Sequence, residues 1–290
     1  MKKPLINTVV IIGVGLIGGS FALALKKAAA VERVIGIDLD SENLNIALKL
    51  GIIDEAASSF ADGLSQANVV FIAVPVCSIL NLVKETVNYI PSGCIITDAG
   101  SVKSELVNAC ESLMPPGTHF VGGHPIAGTE HSGAAAAFAT LYQNRRCILT
   151  PTAATDHDTL NLVTALWQAT GSSVEYMESV AHDRVFAAVS HLPHMVAFAL
   201  VHAVNRSAEE EENIMAFSAG GFRDFTRIAS SDPVMWRDIA MMNREALLDM
   251  LDRYNLEFNN LRDRIANSDA DWLEDFFKTS KRLRDGISQR

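Results

Sequence analysis

Residues 9–18 read Val9-Val10-Ile11-Ile12-Gly13-Val14-Gly15-Leu16-Ile17-Gly18, and this stretch decides the fold. The four β-branched residues at its start are typical of a buried parallel strand, and a helical pattern follows from about Leu16 to Ala30. Gly13 would make a tight turn, Gly15 would let backbone N–H groups approach a pyrophosphate, and Gly18 would let helix and strand pack closely. The positive end of the helix dipole also favours a pyrophosphate. The stretch therefore predicts a dinucleotide-binding unit.

An acidic residue stands at the end of the next predicted strand. That strand covers Arg33–Ile37 and leads into Asp38, about twenty residues after Gly18. A carboxylate there accepts hydrogen bonds from the ribose hydroxyls and repels a 2′-phosphate, and residues 39–43 contain no Arg or Lys to bind one. The sequence therefore predicts NAD as the cofactor. We expect the cofactor to contact Gly13, Val14, Gly15, Leu16, Ile17, Gly18, Asp38, Ala73, Val74 and Pro75.

Strand and helix patterns alternate along the first 177 residues or so. This alternation predicts an α/β fold, a Rossmann-type doubly wound parallel sheet with helices on both faces. Ligands of such sheets bind beyond the carboxyl ends of the strands. Gly13, Val74, Asp98 and His124 each come just after a predicted strand, so we expect them to line one crevice.

The composition and the periodicity of the sequence change near residue 178. Glycine becomes rare, and helical periodicity covers Ser179–Asn205, Pro233–Ala266 and Ala270–Arg284. We predict a dinucleotide-binding domain at 1–177 and an all-helical substrate and dimerisation domain at 178–290. The stretches Val196–Val204 and Ala246–Leu256 are too apolar for one small domain to bury, which predicts a homodimer.

Composition narrows the class of protein. The 290 residues are 49% hydrophobic and carry a formal net charge of −10, which argues against nucleic-acid binding. No uncharged apolar run approaches the ~20 residues of a membrane span, and we expect no signal peptide. The acidic run Glu209–Glu212 is most simply a solvated helix start. We expect a cytoplasmic enzyme with reduced cysteines, although the four cysteines, which include no C-x-x-C pair, would suffice for two bridges.

The segment Gly122–Glu130, GGHPIAGTE, sets one imidazole among small, stiff residues. The two glycines allow close approach to a ligand, and Pro125 biases His124 towards extended backbone. A lone histidine more often caps a helix or packs in a core. Because the chain also carries a dinucleotide fingerprint, we interpret His124 as a proton acceptor beside a hydride transfer. We expect His124 to lie in a loop and to have a pKa near the ~6.5 of free imidazole.

Two serines and a histidine are further candidates. Ser101, in the segment DAGSVK, is either a helix N-cap or a hydroxyl that orients His124. Ser190 and His194, four apart in SHLPH, share a helix face at a kink that we expect from Pro193. A polar substrate site is the preferred interpretation there. A metal site lacks a third ligand at useful spacing, so we predict no metal.

An acidic protein that binds an anionic substrate needs a positively charged side chain in its substrate site. Arg227 lies in the segment DFTRIA, shortly before Asp232 and Pro233, which are typical of a helix start. Surface arginines are usually solvated, but a guanidinium binds a carboxylate through two parallel hydrogen bonds. Arg227 is therefore a candidate substrate ligand.

Taken together, these motifs resemble those of the prephenate/arogenate dehydrogenase family of tyrosine biosynthesis, over nearly the whole chain. The motifs are G-x-G-x-x-G, D-x-G-S-V-K, G-G-H-P-I-A-G-T-E, S-H-L-P-H, and D-F-T-R-I-A followed by D-P-x-M-W. The resemblance implies oxidative decarboxylation of prephenate or arogenate and a homodimer formed through the helical domain. Some members carry a fused mutase or regulatory module. Because the fingerprint begins at residue 13 and the sequence ends at residue 290, we expect a monofunctional chain.

The resemblance also implies roles for individual residues. His124 would accept a hydrogen bond from the substrate's 4-hydroxyl, Ser101 would orient that histidine, and Arg227 would hold a substrate carboxylate. Thr129, Ser190 and His194 would shape the pocket, and Trp236 would approach from a partner subunit. Two alternatives stay open at this point: a β-hydroxyacid-type dehydrogenase with a Rossmann domain and helices, and a non-catalytic NAD-sensing regulator.

Overall fold

A computed structural model describes residues 3–129, 131–207 and 214–287 of the chain. The chain divides into two compact units, Met1–Arg244 and Glu245–Arg290. Glu130 and the acidic run Glu209–Glu212 lie outside the described residues. The domain boundary expected near residue 178 falls inside the first unit, and it stays a prediction.

The first unit is built on one sheet, which has eight strands within the described residues. The strands are β1 (Ile6–Ile12), β2 (Val31–Ile37), β3 (Glu55–Ala56), β4 (Val69–Ile72), β5 (Ile95–Asp98), β6 (His119–Pro125), β7 (Arg146–Thr150) and β8 (Ser173–Tyr176). Their order is β3-β2-β1-β4-β5-β6-β7-β8, and all neighbours pair parallel except β6 and β7. The predicted Rossmann-type sheet is thereby confirmed.

Helices follow most strands and then fill the rest of the chain. They are α1 (Leu16–Lys27), α2 (Ser41–Lys49), α3 (Phe60–Leu64), α4 (Val76–Thr86), α5 (Ser104–Glu111), α6 (His157–Ala169), α7 (Ser179–Phe186), α8 (Leu192–Ser207), α9 (Gly220–Thr226), α10 (Pro233–Met242), α11 (Arg244–Ala266) and α12 (Ala270–Ile287). The all-helical C-terminal part is thereby confirmed. The second unit consists of α11 from Glu245 onwards and α12.

Two apolar clusters cover the two faces of the sheet, as the doubly wound fold requires. On one face Phe21 of α1 packs on Phe71 of β4, with ring centroids 4.2 Å apart, and Trp167 of α6 lies 4.8 Å from Phe21. On the other face Val83 of α4 and Leu106 of α5 are buried against the same strands. The sheet is therefore rigid at its centre, where the fingerprint begins.

His124 lies within a strand, and the expected loop position is wrong. Strand β6 pairs parallel with β5 through Val121, and from Gly122 to Pro125 it pairs antiparallel with β7. The prediction ended the strand too early because glycine and proline disfavour strands. Strand β7 supplies hydrogen-bond partners there, and His124 stands opposite Ile148.

The helical part departs from the predicted spans at two positions. A π-helical turn at Ala187–His191 joins α7 to α8 just before Pro193, which fits the interruption expected from that proline. The span predicted as Pro233–Ala266 is broken at Asn243, whose backbone (φ −102°, ψ 35°) leaves the helical conformation. The side chain of Asn243 explains the break, because it hydrogen-bonds to α7.

One helical stretch, Ser179–Ser207, has the length and mean hydropathy (1.5) that would allow it to cross a membrane. The same stretch contains three buried ionisable side chains, those of His182, Asp183 and His191. Buried ionisable groups of this kind are expensive in lipid and are typical of a functional site. We therefore interpret the stretch as a helix of the fold.

Candidate active site

The turn between β1 and α1 has the shape of a pyrophosphate cradle. Gly13 has φ +91°, and a side chain there would collide with the Ala73 carbonyl oxygen. A Cβ on Gly15 would meet nothing within 4 Å, and Gly15 caps α1 without a side-chain hydrogen bond. The N-terminus of α1 thus has no side-chain cap and has space beside Gly15, as an anion-binding helix N-terminus requires.

Asp38 is held at the edge of this cradle. Its Oδ2 accepts a hydrogen bond from the Val14 backbone N–H (2.9 Å) and another from Asn43 Nδ2 (3.1 Å). Asn43 also donates to the Val14 carbonyl oxygen (3.0 Å). Beside Asp38, the side chain of Leu39 is fully exposed. The carboxylate is thus fixed by a residue, Asn43, that the sequence analysis did not single out.

The remaining expected cofactor contacts lie next to the same turn. Ala73, Val74 and Pro75 connect β4 to α4, and the Ala73 N–H donates to the Ile12 carbonyl oxygen (2.8 Å). The Val74 side chain also approaches Gly13. The fold therefore brings this connection and the fingerprint together at the carboxyl edge of the sheet.

The His124 ring makes its polar contact with a second histidine. His124 Nδ1 lies 2.9 Å from His182 Nε2, and His182 Nδ1 lies 2.8 Å from Asp183 Oδ1. Both rings pack on Phe186, with centroids 4.7 Å and 4.5 Å away. Residues on α7 thus hold a side chain that stands at the end of β6.

The Asp183 carboxylate also caps α5. Its Oδ1 accepts from the Lys103 N–H (2.9 Å), and its Oδ2 accepts from the Ser104 N–H (2.7 Å). These are free amides at a helix N-terminus, where a carboxylate is favoured. The group that holds α7 against α5 is therefore the group that binds His182.

Ser101 does neither of the two things expected of it. Helix α5 begins at Ser104 with Lys103 at its N-cap position, so Ser101 is not the cap. Among the described residues, the hydrogen-bond partner of His124 is His182, and no bond joins the Ser101 hydroxyl to either ring. The cap is instead supplied by Asp183, a residue distant in sequence, which a local pattern does not reveal.

A buried ion pair lies beneath the site. Lys103 Nζ contacts Asp98 Oδ2, and both side chains are fully buried. Asp98 also accepts from the Gly100 N–H (2.7 Å) and the Gly123 N–H (3.0 Å). Since Gly123 precedes His124, the pair ties the end of β5 to the backbone that carries the imidazole.

Burial keeps the two histidines unprotonated. Desolvation lowers the pKa of His124 well below its ordinary value, and the nearby His182 and Lys103 lower it further. Desolvation also lowers the pKa of His182, although its hydrogen bond to Asp183 opposes the shift. The expected titration of His124 near ~6.5 is therefore wrong. The sequence did not reveal that His182, Lys103 and Phe186 surround the ring.

Another buried histidine, His191, lies in the π turn and contacts Asn243. Asn243 Nδ2 donates to the Asp183 carbonyl oxygen (2.8 Å) and lies 3.0 Å from His191 Nδ1. Because the amide nitrogen only donates, His191 Nδ1 accepts and its proton lies on Nε2. Burial lowers the pKa of His191 to about 4.

His194 and Trp236 stack within one chain. Their ring centroids lie 3.7 Å apart at 24°, and Trp236 is buried. His194 Nδ1 donates to the Ser190 carbonyl oxygen (2.8 Å), so its Nε2 is an acceptor when the ring is neutral. Helix α10 packs on α4 of its own chain, and the expected approach of Trp236 to the site of a partner subunit stays a prediction.

Two further expected substrate ligands, Arg227 and Thr129, lie at the surface. Arg227 is exposed, and its charge is near enough to lower the pKa of His194. Thr129 is also exposed, and its hydroxyl accepts from the His131 N–H (3.2 Å). Arg227 is thus brought towards His194, whereas the hydrogen bond of the Thr129 hydroxyl stays within its own turn.

Sequence reasoning missed three residues around His124: Lys103, His182 and Asp183. It placed Asp98 in the crevice but did not foresee that Asp98 pairs with Lys103, because their pairing depends on a loop that folds back. The signal for the others is the dipeptide His182-Asp183 in the first turns of a predicted helix. The role of such a dipeptide can be inferred only when the residues that pack against it are known.

Comparison with known proteins finds relatives that match both parts of the chain. A family model described as "Prephenate dehydrogenase, nucleotide-binding domain" matches residues 21–176, and one described as "Prephenate dehydrogenase, dimerization domain" matches residues 178–279. The chain is 42% identical to the prephenate dehydrogenase of Bacillus subtilis over 98% of its own length and 77% of that protein's. It is 35% identical to the cyclohexadienyl dehydrogenase of Zymomonas mobilis, covering 95% and 94% of the two chains.

A solved structure is similar over the whole fold. It is the prephenate dehydrogenase of A. aeolicus in complex with hydroxyphenyl propionate and NAD+, with a TM-score of 0.92 and 39% identity. The similarity covers 97% of this chain and 98% of that one. Both halves of the chain are therefore matched in sequence and in fold.

Proposed function

This chain belongs to the prephenate dehydrogenase family, and from that premise we propose that it catalyses the NAD-dependent oxidative decarboxylation of prephenate or arogenate. The C–H bond at the ring carbon that bears the 4-hydroxyl breaks, and its electron pair leaves as hydride. The bond to the ring carboxylate also breaks, and that electron pair completes the aromatic ring as carbon dioxide departs. NAD, when bound, accepts the hydride.

The observation that carries this proposal is the state of His124. The ring lies at the carboxyl end of β6. The carboxyl end of β1, which leads into the fingerprint, lies on the same side of the sheet. Its lowered pKa keeps it neutral, so it accepts a hydrogen bond from the substrate hydroxyl and stabilises the positive charge that develops when hydride leaves. The hydroxyl keeps its proton in the aromatic product.

The cradle at β1–α1 fits NAD. The amides that follow Gly15 would bind the pyrophosphate, and Asp38, oriented by Asn43, would bind the ribose hydroxyls. Its charge repels a 2′-phosphate, so we expect kcat/KM with NAD to exceed that with NADP by at least ~10-fold. Measuring both values checks this preference, and equal use of NADP would contradict it.

The substrate would lie between His124 and the residues near His194. Arg227 is the cation for a substrate carboxylate, while His194 and Trp236 form an aromatic wall beside it. The Trp236 indole N–H is buried without a partner among the described residues, which leaves a donor for a substrate oxygen. Ser190 and Thr129 remain proposed contacts of the substrate pocket, and Ser101 remains a proposed hydroxyl near the nicotinamide.

We propose a homodimer in the cytoplasm. The helical part matches a dimerisation domain, and within the described residues α8 and α11 each bury one side chain, Ala197 and Leu247, and α12 buries none. Three long helices that bury so few side chains need a partner that covers their exposed apolar side chains. A second copy of the chain would offer the same apolar surface. A water-soluble substrate and cofactor place the reaction in an aqueous compartment.

The direct test is an assay with two substrates. Purified protein is mixed with NAD and prephenate, and then with NAD and arogenate, while the absorbance of reduced cofactor and the release of carbon dioxide are followed. We expect equal amounts of reduced cofactor and carbon dioxide with at least one substrate, and no reaction with a simple 3-hydroxy acid. Reduced cofactor without carbon dioxide, or activity on the hydroxy acid alone, would contradict the proposal and favour a β-hydroxyacid-type dehydrogenase. NAD binding with no turnover of any of these substrates would favour the NAD-sensing regulator.

A further inference from the structure

Three side chains form a line of hydrogen bonds that ends at His124. The first link joins His124 Nδ1 to His182 Nε2 (2.9 Å), and the second joins His182 Nδ1 to Asp183 Oδ1 (2.8 Å). The His182 ring is fully buried, and Asp183 is nearly so. Water therefore has little access to these two bonds, and the groups themselves must decide where each proton lies.

The direction of the line is set at Asp183. Its two oxygens accept from the N–H groups of Lys103 and Ser104, at 2.9 Å and 2.7 Å. Its backbone carbonyl oxygen is bonded to Asn243 as well. A carboxylate bound in this way is only an acceptor, so the hydrogen between Asp183 and His182 belongs to His182 Nδ1.

Each neutral imidazole carries one N–H, and this fixes the second link. His182 uses its N–H towards Asp183, so its Nε2 is a lone pair that must accept. His124 Nδ1 is then the donor of the 2.9 Å bond. The other nitrogen of His124, Nε2, is left bare as an acceptor.

We propose that Asp183 and His182 are positioning residues that set the tautomer of His124 and leave its Nε2 as the acceptor for the substrate hydroxyl. This inference rests on the proposed function, because it takes His124 as the acceptor. As the C–H bond breaks, the O–H proton is drawn towards His124 Nε2, and the charge on that ring is stabilised through His182 by the carboxylate. The proton returns to the oxygen when decarboxylation completes the aromatic ring.

The tautomer is measured directly, without substrate. Protein with ¹⁵N-labelled histidine is examined by long-range ¹H–¹⁵N correlation at neutral pH, and the His124 signals are assigned by their loss in His124→Asn. We expect Nδ1 to carry hydrogen and Nε2 to be bare. A wild-type His124 with hydrogen on Nε2 overturns the inference, whatever the variants do.

Two variants of His182 separate positioning from packing. His182→Phe keeps a ring of similar volume against Phe186 but removes both hydrogen bonds, whereas His182→Gln retains a donor for Asp183 and a carbonyl acceptor for His124. We expect His182→Phe to lower kcat at least ~10-fold with little change in KM, and to yield His124 with hydrogen on Nε2. His182→Gln should recover both the kcat and the tautomer in part.

A control is available at His157, which is exposed and whose ring hydrogen-bonds to Asn161. His157→Phe and His157→Gln should leave kcat and the His124 signals unchanged. Wild-type kcat in His182→Phe, or equal losses in His182→Phe and His182→Gln, would contradict the inference. If wild-type protein oxidises neither prephenate nor arogenate, the proposed function fails, and the NMR result still decides the tautomer.

Discussion

At the scale of single residues, the chemistry depends on one imidazole kept neutral and one guanidinium kept accessible. His124 is partly buried and its pKa is lowered, mainly by desolvation. Arg227 is exposed and near His194. A neutral acceptor acts in the transition state, whereas an exposed cation attracts an anion before reaction. The two residues should therefore affect different kinetic constants.

His124→Asn should lower kcat by ~10²-fold or more with KM nearly unchanged, because the hydrogen bond to the substrate hydroxyl strengthens mainly as hydride leaves. The neutral ring is the active form, and its pKa is lowered, so activity is present near neutral pH and is lost as pH falls through that lowered value. Profiles of kcat/KM against pH should place this acid limb below ~6.5. The limb should vanish from the residual activity of His124→Asn. Wild-type turnover in the variant would contradict the role of His124.

Arg227→Ala should act mainly on KM. Loss of a charge-assisted contact to a carboxylate costs about 2–4 kcal/mol, which appears as weaker binding of the anionic substrate. Arg223→Ala is the matched control, since Arg223 is an exposed arginine one helical turn away. Steady-state kinetics on both variants decide the matter, and an unchanged KM in Arg227→Ala would remove Arg227 from the substrate site.

The sequence revealed the residues that motifs carry and missed those that only packing defines. The G-x-G-x-x-G turn and His124 were found because glycine and proline restrict the local backbone in a recognisable way. His182 and Asp183 were missed because their partners, His124, Lys103 and Ser104, are distant in sequence. Single-sequence patterns contain no information on such pairs.

At the scale of elements, the site is assembled where strand ends and helix starts are tied together by buried charges. Asp98 at the end of β5 binds the amide of Gly123 on β6 and the ammonium of Lys103 before α5. Asp183 on α7 then caps α5. These links explain why β6 continues through Gly122 and Gly123, and why the helix predicted across Asn243 breaks there to reach α7.

Lys103→Met should destabilise the protein strongly. It leaves the Asp98 carboxylate buried without its counter-charge, which costs about 3–5 kcal/mol of unfolding free energy. The control is Lys26→Met, which breaks a partly exposed pair with Asp54 and should cost no more than about 1 kcal/mol. Denaturant unfolding of the two variants gives both values. Equal effects would mean that the buried pair adds nothing beyond a surface one.

At the scale of the whole molecule, the described helices of the C-terminal part expose more apolar surface than a soluble chain tolerates. Leu256, Phe258 and Ile265 on α11 are each more than half exposed, as are Phe277 and Leu283 on α12. The sequence showed this excess in Ala246–Leu256, because apolar residues there outnumber what one small domain can cover. The sequence did not reveal that the chain divides at Arg244, since compactness depends on tertiary contacts.

A homodimer accounts for this exposed surface, and it gives the last prediction. Light scattering at micromolar concentration should yield twice the chain mass of 31.4 kDa. Leu256→Asp places a charge on the exposed apolar face of α11 and should shift the mass towards the monomer, because burying an unpaired carboxylate at an interface is costly. Leu50→Asp changes a similarly exposed leucine after α2 and should leave the mass of the dimer unchanged. A fully active wild-type monomer would contradict the dimer and require another cover for α8, α11 and α12.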